Sequence, residues 1–207
     1  MSAVNRRPRG SLTRELILDA AERVTTGGLE GLSMRAVAAA AGAAPMALYN
    51  HFPTKDALLA ALLDRVLGRV DAGPATADWR ADLRAFALAH RRVLATHPWA
   101  VIPLFTHAAP GPNATRVGED CFGILARGGI GGEAAVAAFS GILALNYGWS
   151  AFTTSRPDDD TLAADLVALP PEQFPHTVEL AGSLAAYGSE SHYELALAAQ
   201  VSGLGGG

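Results

Sequence analysis

Cysteine is nearly absent from this chain: Cys121 is the only one in 207 residues. One cysteine excludes an intramolecular disulfide and any zinc site built from several thiolates. Lysine is as scarce, with Lys55 alone. Half the residues are hydrophobic, yet no uninterrupted apolar stretch approaches the roughly 18–20 residues of a membrane span. The opening MSAVNRRPRGSLTR is basic and polar and holds no apolar segment of a secretory signal. These absences predict a cytoplasmic protein with no membrane partner. There is no Ser/His/Asp set, no paired-carboxylate site and no regular metal-ligand spacing, so an enzyme is not expected. His107, Glu119 and Cys121 are spaced too irregularly to read as a metal site, and no cofactor is implied. The GGIGG run at 128–132 lacks a following Lys-Ser/Thr and a preceding strand, so it is a linker and not a phosphate loop. No internal repeat and no convincing strand is found, which leaves an all-α chain with room for one or two domains.

What is present is unevenly placed. The net charge is −4, but residues 1–55 hold seven Lys/Arg against four Asp/Glu. A head of about +3 on a body of about −7 suits a head that meets phosphates. Arg6, Arg7 and Arg9 supply most of that excess, and a basic tail without function would look the same. Residues 1–11 read as a flexible basic arm.

The stretch from Leu12 to about Leu63 organises the rest. Thr13 can cap a first helix over about 13–26, whose apolar face is Leu16, Ile17, Ala20, Ala21 and Val24. Gly27-Gly28 ends it. Ser33 caps a short Ala-rich helix, 34–41, and Gly42 stops that helix because it adopts a left-handed backbone without a Cβ penalty. Pro45 suits the first position of a second helix of about two turns, PMALYNH. Helix, glycine turn and short second helix form the helix-turn-helix pattern, with the second helix as the major-groove reader.

The run ILDAAERVTTGGLEGLSMRAVAAAAG and the block LYNHFPTKDALL, with its Tyr-x-His-Phe-x-x-Lys-x-x-Leu-Leu spacing, resemble the N-terminal domain of the TetR family of bacterial transcriptional repressors. The close match covers about a quarter of the chain. The resemblance implies a three-helix DNA-binding domain at 12–70, including a linking helix that starts after Thr54. A helical ligand-binding and dimerisation domain follows at 76–207, beyond the DAGPATAD break. It implies double-stranded operator DNA as partner, a homodimer, and a small-molecule effector that releases the protein from a palindromic site. Tyr49 and His51 resemble phosphate contacts of the family, with core packing as the alternative for each. Arg35 can reach a guanine edge or a phosphate, or can be a solvated surface residue. Lys55 opens the fourth helix, where its ammonium and the helix amides can hold one phosphate. Pro45, Met46, Ala47 and Asn50 occupy the positions that face base edges, with Leu48, Phe52, Val37 and Ala38 as core.

The body reads as helices over 77–97, 98–107 (interrupted by Pro103), from Asn113, from Glu133 to about Thr154, and over 189–204. In the family the last helix and the long helix before it pair with their copies in the dimer. Phe86, His90, Trp99, Phe105, His107, Phe122, Asn146 and Trp149 are the candidates for a ligand pocket, each with core packing as its alternative. His90 and His97, two turns apart, are the best polar pair. No body stretch matches the tetracycline-binding members, so tetracycline is not implied. The competing reading is a helical small-molecule-binding protein or enzyme that keeps the head as a relic. An enzyme should tolerate alanine at Arg35, Tyr49 and Lys55.

Overall fold

Four short polar side chains set where helices begin. Thr13 accepts from the amide of Leu16, Ser33 from Ala36, Thr54 from Ala57 and Ser189 from His192, so each supplies an acceptor to an otherwise orphan amide. The computed structural model describes residues 12–106, 111–155 and 161–205. Among the described residues all regular secondary structure is helical, with no strand. The arm at 1–11 and the pocket candidate His107 lie outside them.

The head comprises α1 (Arg14–Thr25), a 3₁₀ turn (Leu29–Gly31), α2 (Met34–Ala41), α3 (Pro45–Tyr49) and α4 (Lys55–Leu67). Ile17, Ala20, Ala21, Val37, Ala38, Leu48 and Phe52 are fully buried between these helices. Burying a leucine-sized side chain stabilises the fold by about 1.5–3 kcal/mol, so this small cluster fixes the angle between α2 and α3. Gly42 makes the turn. Its φ is +67°, its amide reaches the carbonyl of Ala39, and the amide of Ala43 reaches Ala38. The reading helix is shorter than its sequence predicts. It stops at Tyr49, because the amides of His51 and Phe52 both turn back to the carbonyl of Leu48.

The body comprises α5 (Trp79–Thr96), α6 (Pro98–Thr106), α7 (Pro112–Arg127), α8 (Gly132–Ser155), α9 (Leu162–Val167), α10 (Pro175–Glu179), α11 (Ala181–Ala185) and α12 (Glu190–Ser202). Its core brings Leu83, Phe86 and Leu94 of α5 against Val117, Cys121 and Leu125 of α7, Ile142 of α8 and Leu197 of α12. Burial pushes the Cys121 thiol up to about 12. Pro103 does not break α6, which runs through it. The proline removes one hydrogen bond from a helix held by buried Ala100, Val101 and Leu104. Three short helices, α9 to α11, lie between the long helix and the last one, a stretch for which the sequence predicts no helix.

Head and body meet along α4, whose Leu58, Leu62, Leu63, Val66 and Leu67 are buried. Asp64 caps the start of α7, and a Cβ at Gly111 would collide with its carboxylate. Arg116 of α7 reaches back to the carbonyls of Gly68 and Val70, past the end of α4. On the other side of α4, Arg69 donates to Glu22 of α1 at 2.6 Å and contacts His97 Nε2. These contacts tie the linking helix to both layers.

Candidate nucleic-acid interface

The exposed face of α3 is built from residues that the core leaves over. Leu48 and Phe52 point inward and are fully buried, so their neighbours point out. Met46 is 74% exposed and Tyr49 44% exposed, and Pro45 and Asn50 are exposed beside them. Ala47 and His51 are half-buried, while Arg35 and Lys55 are exposed. Thus the eight residues that sequence reasoning assigned to DNA remain wholly or partly accessible around α3 and the start of α4. Thr54 Oγ1 occupies the amide of Ala57 at 3.0 Å and leaves the first amides of α4 pointing outward beside Lys55.

Ion pairing divides the same way. Among the described residues, Arg14, Arg23, Arg35 and Lys55, the described cations of the first 55 residues, make no ion pair. Arg65 makes two, and Arg69, Arg84, Arg91, Arg116 and Arg127 make one each, while Arg80 and Arg92 make none among the described residues. The carboxylates of α1 are turned away from α3: Asp19 lies 2.5 Å from Arg65 and Glu22 lies 2.6 Å from Arg69. The cations around the reading helix therefore have no internal counter-charge among the described residues. Such a surface gains most when phosphates approach and bound counter-ions are released.

The body candidates do not all converge. His90 and Asn146 are fully buried and meet, with Asn146 Nδ2 at 3.0 Å from His90 Nδ1. The same Nδ2 donates to the carbonyl of Ala87, and Tyr193 donates its hydroxyl to Asn146 Oδ1 at 2.6 Å. This fixes the amide orientation, makes His90 Nδ1 an acceptor and puts the imidazole proton on Nε2. Nε2 has no hydrogen-bond partner among the described residues. Burial lowers the His90 pKa to about 4 and keeps the ring neutral. Tyr147 meets His90 edge-on at 5.4 Å and also meets the exposed Phe105. Trp149 joins the group through Tyr193 and donates its indole N–H to the carbonyl of Gly188. Phe86 is core, and Phe122 packs on Phe139. Trp99 instead lines a cavity of about 1080 Å3 between head and body, with Glu22, Arg69, His97 and Ile102. His90 and His97 do not act as a pair, because His97 donates Nδ1–H to Val93 and faces Arg69.

Residues 17–62 match the family model described as bacterial regulatory proteins of the tetR family, and residues 73–206 match that of the tetracyclin repressor-like C-terminal domain. The chain belongs to the TetR family. Its curated relatives include an HTH-type transcriptional regulator of Saccharopolyspora erythraea, 39% identical over 66% of this chain and 58% of the relative. The HTH-type transcriptional repressor DrrR1 of Streptomyces coeruleorubidus is 39% identical over 53% of this chain and 42% of the relative. This TetR-family chain thus aligns with only about half the length of those relatives. Solved structures match almost throughout. Apo ActR from Streptomyces coelicolor superposes with a TM-score of 0.88 at 26% identity, over 95% of this chain and 96% of ActR. ActR in complex with actinorhodin gives 0.87 at 26% identity, over 94% and 95%.

Two features of this family member escaped sequence reasoning. Arg14 and Asp64 make their decisive contacts with residues 37 and 49 positions away, which no local pattern records. α8 is also long and apolar enough, by length and composition, to cross a membrane. Run length hides this because Ser, Gly and Asn interrupt the apolar residues. Asn146 and Ser150 are buried against the body, which is a packed helix's use of polar side chains.

Proposed function

We propose that this chain is a homodimeric transcriptional repressor that leaves a near-palindromic operator when a small molecule occupies its body. The observation that carries the reading is the exposed α3 face beside arginines and a lysine that have no ion-pair partner among the described residues. Met46 and Ala47 meet thymine methyls, Asn50 meets base edges, and Arg35, Tyr49, His51 and Lys55 hold phosphates. Two copies place their α3 helices about one helical turn apart on the duplex. The copies join through α8 and α12, whose Val136 and Leu195 stay 55% and 69% exposed in the single chain. The body, 76–207, takes an effector among Phe105, Tyr147, His90, Asn146 and Trp149. The linking helix α4, part of the DNA-binding domain at 12–70, carries the resulting shift to the reading helices. Actinorhodin, which ActR holds, is the first compound to titrate. The site of action is the cytoplasm, and no chemistry beyond binding is required.

The test is binding to the DNA immediately upstream of this protein's own gene, at two salt concentrations, with Tyr49→Ala and Lys55→Ala alongside. Tight, salt-steep binding to a dyad that both substitutions weaken supports the repressor. Footprinting that shows a monomeric site without a dyad sinks the homodimer, and tolerance of both substitutions favours a relic head.

A further inference from the structure

We propose that Arg14, in the first turn of α1, contacts the DNA backbone and at the same time holds the end of the reading helix in place. This role rests on the repressor reading above. Arg14 Nη1 donates to the carbonyl of His51 at 2.6 Å, and its guanidinium carbon lies 4.1 Å from the centre of the Phe52 ring. Phe52 is fully buried beneath it. The guanidinium is therefore anchored at two points, by one hydrogen bond and by the aromatic face. His51 follows α3 and Lys55 opens α4, so the charge sits at the join between the two segments assigned to phosphates.

Three facts mark this as more than a structural clasp. Arg14 is exposed and makes no ion pair with any described carboxylate. Its sequence neighbour Glu15 points instead toward Arg65, 3.9 Å away. A guanidinium has five N–H donors, and a single bond to His51 leaves an edge to reach an oxyanion. An unpaired cation that is already ordered loses little side-chain freedom when a phosphate arrives. Arg23 makes the instructive contrast. It is also unpaired among the described residues, but it bonds the carbonyl of Ala40 at the C-terminal end of α2 and has no aromatic ring against its guanidinium among them.

The experiment measures affinity against salt for a short duplex selected from random-sequence DNA by the wild-type protein. Arg14→Ala should weaken binding about tenfold at low salt and lower the slope of log K against log salt by about one per protomer. Arg14→Gln keeps a donor for the His51 carbonyl without the charge, and should lose the same slope. Arg14→Lys should keep the slope. Circular dichroism checks that each variant folds; if the alanine variant does not, the Gln and Lys pair decides. A slope unchanged in the uncharged variants, even with weaker binding, overturns the phosphate contact. Failure of the wild-type protein to select any duplex removes the repressor reading, and this role with it.

Discussion

Asp64 on α4 and Asn113 on α7 are joined twice. Asp64 Oδ1 accepts from the Asn113 backbone amide at 3.0 Å, and Oδ2 accepts from its side-chain amide at 2.9 Å. The amide of Ala114 adds a third bond to Oδ1 at 2.9 Å. A carboxylate of the linking helix thus serves as N-cap for a helix of the body, and it does so across the domain junction. Arg116 answers from α7 by holding carbonyls at the end of α4.

Asp64→Ala should therefore destabilise the fold by roughly 2–3 kcal/mol, because it leaves the first amides of α7 unpaired in a half-buried place. Thermal or urea unfolding measures the loss. Hydrogen exchange should quicken first at Asn113 and Ala114. Equal acceleration across the whole body would show that Asp64 acts on global stability alone.

The residues proposed to face DNA should separate into two classes. Tyr49→Phe and Lys55→Ala should weaken binding to all duplexes, and Lys55→Ala should also flatten the salt dependence by about one unit per protomer. Met46→Ala, at a side chain that is 74% exposed, should shift preference among duplexes without moving the salt slope or the melting temperature. Competition binding against randomised sites reads this directly.

Acid should reveal His90. Its folded-state pKa, about 4, lies below the value of about 6.5 for an unfolded histidine, and burial is the cause. Between those values the unfolded chain takes up a proton that the folded chain refuses. Stability should then fall on acidification from pH 6.5 toward 4, by at most about 1.4 kcal/mol per unit from this group. Below pH 4 its contribution flattens. His90→Gln should reduce the slope in that window, and an identical slope in the variant would rule the histidine out as its source.

Two glycines of the α7 region should behave oppositely. A Cβ at Gly128 would lie 2.5–2.9 Å from the Trp79 indole, so Gly128→Ala should cost about 1–3 kcal/mol. Gly123 lies within α7 and a Cβ there would meet nothing within 4 Å, so Gly123→Ala should gain about 0.5–1 kcal/mol. Melting curves of the two variants give the comparison.

The starts of helices were readable because their causes are local. Thr13, Ser33, Thr54 and Ser189 each bond an amide three residues or fewer ahead, and Gly42 needs only its own backbone freedom. The exposed face of α3 followed from the inward period of Leu48 and Phe52. What stayed hidden depends on distant partners. Arg14 looks like any helix-opening arginine until His51 is folded against it. His90 and His97 share a stripe, but Asn146 claims one and Arg69 the other. Helices α9 to α11 gave no periodic signal because, among their residues, only Ala181 is buried. With almost no inward face, they had no pattern to display.

The burial of Cys121 has a practical consequence. A lone thiol fully enclosed by the core, with its acidity suppressed, offers alkylating reagents and oxidants nothing to attack. The chain has no second thiol to pair with it. A signal that must be received by a thiol finds no accessible group here. The same feature leaves the surface clear of native thiols, so a cysteine introduced at an exposed position on α3 or α8 can carry a fluorophore or spin label as the only reactive sulfur in the folded protein.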